Sequence, residues 1–358
     1  MEKEFCILAI NPGSSSTKLA VYSGSKPLAE QTIRHPSGLF AGMESLQQQI
    51  DLRMQALQDF LVQNNIQKSA LDAVVGRGGL VRPVKSGTYT INEAMLQDLQ
   101  KPSAARHASS LGAIMANHIS GQLTIPAYIV DPVVVDELQP EARISGLPQI
   151  ERQSIFHALN QKAVAREAAA QLGIPYQSAR FVVAHMGGGV SVGAHNNGRV
   201  VDVNNALGGE GPFSPERCGG LPGEQLAELC FSGQYTKQEV MDWFHKSGGV
   251  QAYIGTADMM QAEQRCKEGD ADALLLCGAM AYQIAKDIGG MMAVLCGQAH
   301  AIVLTGGLAH WQTLVLKVKE YVGGFAPVIV LPGEDEMKAL IQGALRILQG
   351  QEEPRQYT

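Results

Sequence analysis

The sequence predicts an α/β protein of two domains. At 358 residues the chain exceeds what one hydrophobic core usually serves. Apolar runs of strand length alternate with stretches whose apolar residues recur at helical spacing. The pattern also starts twice, because residues 6–22 and residues 181–195 each read as strand, glycine-bearing polar turn, strand. Two such turns facing each other across a cleft would grip a polyphosphate from both sides, and a cleft between domains is where a ligand is expected. A chance echo of two Gly/Ser turns is the competing reading.

Residues 1 to about 34 read as hairpin strands. The turn Asn11-Pro12-Gly13-Ser14-Ser15-Ser16-Thr17-Lys18 lies between apolar residues 6–10 and 19–22. Gly13 lets backbone approach closely, hydroxyls donate and Lys18 adds a cation, a set suited to phosphate. A Ser-rich surface turn has the same composition. A phosphate loop that opens a helix does not fit, since Lys18 runs straight into the β-prone Leu19-Ala20-Val21-Tyr22. Residues 42–63 carry Leu46, Ile50, Met54, Leu57 and Leu61 at helical spacing. A strand over 71–75 then enters the turn Gly76-Arg77-Gly78-Gly79, a helix covers 109–119, and a strand over 127–130 ends in Asp131-Pro132. In the second half, strand 181–184 leads into His185-Met186-Gly187-Gly188-Gly189, strand 190–195, the hairpin turn Asn196-Asn197-Gly198 and strand 199–203. The longest apolar stretch, residues 289–307, is broken by Gln298 and His300 and reads as a helix end, a turn and the buried strand 301–304. The last helix spans 338–348. No linker or low-complexity segment appears, so the restart places the domain boundary between about 135 and 180.

Hydrophobic content of 45% and a net charge of -6 describe an ordinary soluble protein. No Lys/Arg-rich run points to nucleic acid or an anionic membrane, so the expected partners are small molecules. The six cysteines (Cys6, Cys218, Cys230, Cys266, Cys277, Cys296) form no CxxC pair or metal-finger spacing and read as reduced residues of a cytoplasmic protein. The start, Met1-Glu2-Lys3-Glu4, is charged, and the apolar run after it is too short for a signal peptide or a membrane span.

In the second glycine turn, His185 places a titratable, phosphate-capable side chain at a strand's end, with Gly187, Gly188 and Gly189 behind it. A turn with a capping histidine is the alternative. A third motif, Thr305-Gly306-Gly307 after residues 302–304, suits backbone approach to a flat adenine or ribose, although strand-to-helix glycines of any α/β protein look similar. Asp131, Arg77 and Arg217 stand where the chain should turn at the mouth of a sheet, the place where ligands of open sheets gather. Taken singly, Asp131 also reads as a turn residue before proline, and each arginine as a solvated loop cation.

With these residues assembled, the chain resembles the acetate and butyrate kinase family, within the superfamily of sugar kinases, heat-shock chaperones and actin. The likeness spans essentially the whole chain. Ile10 to Lys18 is similar to the family's first signature, and Phe156-His157-Ala158 falls where its second occurs. The butyrate kinase branch is the nearer, on Gly76-Arg77-Gly78-Gly79-Leu80-Val81-Arg82-Pro83, His107-Ala108-Ser109-Ser110-Leu111-Gly112, Val130-Asp131-Pro132-Val133-Val134-Val135-Asp136-Glu137, Ala184-His185-Met186-Gly187-Gly188-Gly189 and Pro215-Glu216-Arg217-Cys218-Gly219-Gly220-Leu221-Pro222. The chain departs from acetate kinases at Gly188, where they carry Asn, and at Cys218-Gly219-Gly220, where they have Ser-Gly-Asp. Their Asp-Phe-Arg segment is Asp258-Met259-Met260 here, and their Ala-Gly-Ile-Gly-Glu-Asn loop is Thr305-Gly306-Gly307-Leu308-Ala309-His310.

The resemblance implies two ribonuclease H-like (actin-like ATPase) domains around a nucleotide cleft. Residues 1–135 with 337–358 form the N-terminal domain on the carboxylate side, and 136–336 the C-terminal domain on the nucleotide side. It implies transfer of the ATP γ-phosphoryl group to a short fatty acid, butyrate first and acetate, propionate or a branched acid as alternatives, with ATP/ADP and Mg²⁺ as cofactors and self-association into a homo-oligomer. A regulatory ATPase of the actin or chaperone kind is the alternative of another class. A carboxylic acid with a pKa of about 4 to 5 is already ionised at neutral pH and needs no general base, so Asp131 is cast as the Mg²⁺ organiser. Within Pro332-Gly333-Glu334-Asp335-Glu336, Glu336 is chosen as the metal-associated carboxylate. His157, His185 and Arg217 would stabilise charge on the transferring group. Asn11, Ser14, Ser16, Lys18, Gly187, Gly188 and Gly189 would hold phosphates, and Asp258, Thr305, Gly306 and Gly307 the rest of the nucleotide. Arg77, near the slot of the family's substrate arginine, and the apolar Val133 and Val134 would face the acid, although core packing explains the valines equally.

Overall fold

The computed structural model describes residues 3–13, 15–36, 39–40, 46–101 and 108–358. The chain divides into two compact units, Met1–Val135 with Asp335–Thr358, and Asp136–Glu334.

The first unit is built on a six-stranded sheet in the order β3-β2-β1-β4-β6-β5. Its strands are β1 (Cys6–Pro12), β2 (Ser16–Ser23), β3 (Lys26–Arg34), β4 (Ala73–Arg77), β5 (Thr88–Thr90) and β6 (Ala127–Val130). β1, β2 and β3 form an antiparallel meander, whereas β4 and β6 run parallel to β1. Both faces of β1 are buried, as expected of a strand inside a parallel array. Leu8, Ile10, Leu19, Val21 and Val74 pack with the helices Leu46–Gln63 and Ser110–Leu123, and the terminal helix Glu336–Leu348 lies on β1, β4 and β6. The helix Ser110–Leu123 approaches β4 so closely that a Cβ at Gly76 would stand 2.2 Å from the carbonyl oxygen of Gly112.

The second unit repeats the plan. Its main sheet has the order β11-β10-β9-β12-β13, with β9 (Arg180–Met186), β10 (Val190–Asn196), β11 (Arg199–Val203), β12 (Ala301–Gly306) and β13 (Val328–Pro332). β9 to β11 form the meander, and β12 and β13 run parallel to β9. Among the strands of the described residues, β5 and a small hairpin, β7 (Ile144–Leu147) with β8 (Ile150–Glu151), have no counterpart in the other unit's sheet. Alternation along β9 splits its side chains between two cores. Val182, Ala184 and Met186 pack with the helices Ala271–Val294 and Gln312–Val322, while Phe181 and Val183 pack with the helix Ala158–Gln171. The echo between the two halves is thus a repeated ribonuclease H-like sheet.

Three local expectations shift. The first parallel strand begins at Ala73, because Lys68–Ala70 forms a 3-10 turn, so Arg77 ends a strand and does not stand in a turn. His185 likewise lies inside β9, which runs on to Met186. The terminal helix starts at Glu336, not Lys338, because Asp335 Oδ1 accepts the Lys338 amide at 3.2 Å as its cap. That cap returns the chain to the first unit at Asp335 and puts Glu336 there rather than in the second. Residues 42–45 of the expected first helix, and His107, lie outside the described residues.

Candidate functional site

In each unit the candidate residues collect at the carboxyl ends of the parallel strands, where ligands of open α/β sheets bind. In the first unit, Ile10 pairs with Gly76 and Arg77 with Val130, which brings Asn11, Arg77 and Asp131 side by side at the ends of β1, β4 and β6. Glu336 closes this group from the terminal helix. Its Oε1 lies 3.0 Å from Arg77 Nη2, and its Oε2 accepts from Arg77 Nη1 at 3.2 Å and from Asn11 Nδ2 at 2.6 Å. Arg77 Nη1 also donates to Asn11 Oδ1 at 3.3 Å. Arg77 and Asn11 thus occupy three of the acceptor positions of Glu336, and a metal held through this carboxylate would share it with them. The side chains expected to reach substrate carboxylate (Arg77) and phosphate (Asn11) are bound to the same acid.

Asp131 differs. It is buried with φ at +37°, a left-handed conformation uncommon outside glycine. Its Oδ1 accepts from Ser86 Oγ at 2.6 Å and from the Gly87 amide at 2.8 Å, which holds the carboxylate in one orientation. Oδ2 makes no hydrogen bond with the described residues. One fixed, one uncommitted hard oxygen suits Mg²⁺, which usually takes one or two carboxylates and keeps water and phosphate for the rest of its shell. The described residues contain no group of three or more His, Cys, Asp or Glu side chains that could together hold a metal ion. Val134 belongs to the core of the unit and Val133 packs partly buried against it, so packing accounts for both.

The first glycine turn is shaped from behind by Arg53, a residue the sequence reading passed over. Its guanidinium, fully buried, donates to the carbonyl oxygens of Gly13 and Ser16 at 2.8 and 2.7 Å and to Thr17 Oγ1 at 2.7 Å. Burial pushes its pKa down to about 10, which leaves it charged at neutral pH. On this loop Ser15 is exposed and Ser16 half-buried. Lys18, register partner of Asn11, is half-buried, and Ser14 lies outside the described residues.

In the second unit, β9 pairs His185 with Thr305 of β12 and with Ser191 of β10. The rings of His185 and His157 are stacked, 3.7 Å between centroids and 10° from parallel. His157 caps the helix Ala158–Gln171, whose first turn contributes Asn160 with Oδ1 2.7 Å from His185 Nδ1. Glu334, after β13, puts Oε1 3.1 Å from His185 Nε2. That contact lacks hydrogen-bond geometry, and Nε2 is buried with no hydrogen bond to the described residues. Arg217 donates from Nη1 to the Ala206 carbonyl at 2.9 Å, and its Nε is buried with no hydrogen-bond partner among the described residues. Burial pulls the Arg217 pKa below the usual guanidinium value. Ser214 joins the two loops: its Oγ donates to the Gly188 carbonyl at 2.6 Å and accepts the Arg217 amide at 3.1 Å.

All three groups converge on the second glycine turn. A Cβ at Gly189 would lie 2.1 Å from Arg217 Nη1 and 3.4 Å from His157 Cε1, and one at Gly187 would lie 3.0 Å from His185 Nε2. At Gly188 the neighbour is Glu216, 3.4 Å away. Glycine here leaves room for backbone beside two rings and a guanidinium, and the nearest neighbour of a Cβ at Gly187 is Glu334 Oε1, 2.8 Å away. Thr305 is buried, with Oγ1 donating to the Gly333 carbonyl at 3.3 Å. Gly306 has φ +86° against Met186, and a Cβ at Gly307 would meet open space. Asp258 sits apart from these. Its carboxylate accepts the amides of Met260 and Gln261 as the cap of the helix Met259–Lys267. The sequence reading also missed Asn160 and Gln161, and weighed Glu334 only within the stretch from which Glu336 was chosen as the metal-associated carboxylate; three successive polar residues, Asn160-Gln161-Lys162, in the first turn of an Ala-rich helix soon after Phe156-His157 were the available signal for the first two.

Comparison with solved structures finds the same fold in Porphyromonas gingivalis acetate kinase, 20% identical with a TM-score of 0.79 over 96% of this chain and 100% of that one. Entamoeba histolytica acetate kinase is similar at 20% identity and a TM-score of 0.76, covering 96% and 100%. A propionate kinase from Francisella tularensis gives 20% and 0.75, covering 95% and 98%. Independently of fold, residues 149–322 match the family model described as the acetokinase family. That segment, just under half of the chain, contains His157, His185, Gly187 to Gly189 and Arg217.

Proposed function

We propose that the protein is an ATP-dependent carboxylate kinase that phosphorylates a short-chain fatty acid reversibly, with butyrate as the preferred acid. The observation that carries this reading is the convergence of His157, His185 and Arg217 on the glycine turn 187–189, inside the segment that matches the acetokinase model. The preference for butyrate is supported by the motifs around Arg77, Asp131 and Arg217. MgATP, when bound, would supply the γ-phosphoryl group and divalent positive charge to offset the phosphate oxygens.

The chain's own residues then have distinct parts. Asp131, held at Oδ1 by Ser86 and Gly87, would offer Oδ2 to Mg²⁺ directly or through water. His185, His157 and Arg217 would stabilise charge spreading over the equatorial oxygens, while the acid, already ionised, needs no base. The first glycine turn, shaped by Arg53, and the second would hold phosphates, and Thr305 to Gly307 the nucleoside. Arg77 would meet the acid's carboxylate on release from Glu336.

The test is to trap acyl phosphate as hydroxamate with straight and branched C2 to C6 acids and MgATP. Product should peak at C4 and decline gradually, since each methylene discriminates by only about 1 to 3 kcal/mol. A peak at C2 or C3 makes the protein an acetate or propionate kinase, and no product with any acid overturns the reading in favour of a regulatory ATPase. Arg217→Ala should lose about 10² to 10³ in turnover, the usual cost of removing one charge-stabilising donor. Turnover near wild type would remove Arg217 from the mechanism.

A further inference from the structure

Behind His157 runs a buried chain of polar side chains that reaches no ligand. Ser191 Oγ lies 2.9 Å from His157 Nδ1, Gln161 Nε2 lies 2.8 Å from Ser191 Oγ and 2.9 Å from the Ser191 carbonyl oxygen, and Gln161 Oε1 lies 3.0 Å from His195 Nε2. Gln161, Ser191 and His195 are each at most 1% exposed. Water cannot reorganise such a chain, so its donors and acceptors must match internally.

The direction of every bond follows from one fixed point. A backbone carbonyl only accepts, so the Gln161 atom facing the Ser191 carbonyl is the amide nitrogen, and the flipped amide would set two oxygens against each other at 2.9 Å. The Gln161 nitrogen therefore donates to Ser191 Oγ as well, and Oε1 accepts from His195 Nε2–H. Its oxygen has a second lone pair, but accepting from both neighbours would leave the hydroxyl hydrogen buried with no acceptor among the described residues, so Ser191 turns that hydrogen to His157 Nδ1. Burial and the Lys162 ammonium keep His195 neutral, in keeping with one donated proton and a bare Nδ1 that has no partner among the described residues.

We propose that the relay His195–Gln161–Ser191 fixes His157 as the tautomer protonated at Nε2, making Gln161 and Ser191 positioning residues that keep this histidine a hydrogen-bond donor. Nδ1 accepts from serine, so the ring carries its one N–H at Nε2, on the edge away from Ser191, and its Cε1 lies 3.4 Å from where a Cβ at Gly189 would stand. A donor fixed in advance suits stabilisation of phosphoryl charge, because no tautomer change is needed when charge develops. The catalytic consequence rests on the proposed kinase reading; the tautomer does not.

Selective ¹⁵N-histidine labelling of the full chain separates the two. Long-range ¹⁵N–¹H correlation at pH 8, with His157→Gln identifying the resonance, should show His157 protonated at Nε2 and unprotonated at Nδ1. An Nδ1–H tautomer or a doubly protonated ring overturns the proposal. Ser191→Ala should admit the Nδ1–H tautomer and lower kcat at least tenfold with KM for ATP and acid changed less than threefold, and Ser191→Thr, which keeps the hydroxyl, should restore both. A Ser191→Ala protein with the wild-type tautomer also overturns it. If the Nε2–H signature is found but no acid yields acyl phosphate, the relay stands and the kinase reading fails.

Discussion

Glu336 shows how one side chain can bind several functional candidates at once. Its carboxylate, 9% exposed, meets Arg77 through two nitrogens and Asn11 through one. Removing one partner of such a pair strands the other, which costs far more than the intact pair contributes. Glu336→Ala and Arg77→Ala should therefore each destabilise the first unit by about 3 kcal/mol in urea unfolding, and the double variant by clearly less than the sum. Additive losses would mean that the pair is not coupled. The residue types of this group were readable in the sequence, since Asn11, Arg77, Asp131 and a late carboxylate all stood at predicted strand ends or turns. Their partners were not, because Glu336 lies 259 residues from Arg77 and 325 from Asn11, and only packing of the last helix brings them together. Arg53 was hidden for another reason: it occupies the apolar stripe of its helix, between Ile50 and Leu57, where a charged residue contradicts the pattern that identifies the helix.

At the scale of elements, the hairpins were legible because alternation, turn glycines and apolar runs agree locally, and strand 127–130 is found as read. Strand ends moved by two residues where a local 3-10 turn or a ladder partner decides the boundary, which one chain segment does not encode. The long helix Ala271–Val294 contains a further consequence of packing. Asp287 on this helix has its pKa raised to about 6, first by burial, with Glu210 adding to the effect and Lys286 and Arg152 opposing it. In the unfolded chain an aspartate titrates near about 3.9. Between these values the native state binds more protons than the unfolded one, so this group's contribution to stability falls as pH rises from about 4 to about 6 and stays low above that. Asp287→Asn should thus stabilise the protein at pH 8 by on the order of 2 kcal/mol, with the difference closing below about pH 4. Urea midpoints at both pH values decide it, and equal midpoints at pH 8 would refute the burial penalty.

At the scale of the molecule, the two units are unequal in how the chain builds them. The second is one continuous segment, Asp136–Glu334, whereas the first is closed by the returning segment Asp335–Thr358. That segment is not an appendage. Met337, Leu340, Ile341, Ala344 and Leu345 are buried, and the helix they belong to lies on three parallel strands. Beyond it, Tyr357 donates to Asp98 Oδ2 at 2.6 Å and accepts the Arg82 amide at 2.9 Å, and Asn92 Nδ2 donates to the Tyr357 carbonyl at 2.7 Å. Burying a large apolar side chain contributes about 1.5 to 3 kcal/mol, so the four large ones in this helix together contribute about as much as the 5 to 15 kcal/mol by which a whole domain is stable. A chain ending at residue 334 should therefore leave the first unit unfolded while the second, whose cores draw on residues of its own segment, stays folded. Hydrogen exchange reads both outcomes in one sample. Amides of residues 7–10 and 73–75 should exchange as in an unfolded chain, and those of residues 181–185 and 301–305 should keep native protection. Native protection in β1 and β4 of the shortened chain would show that the first sheet stands without its returning helix, and equal loss in β9 and β12 would show that the units fold only together.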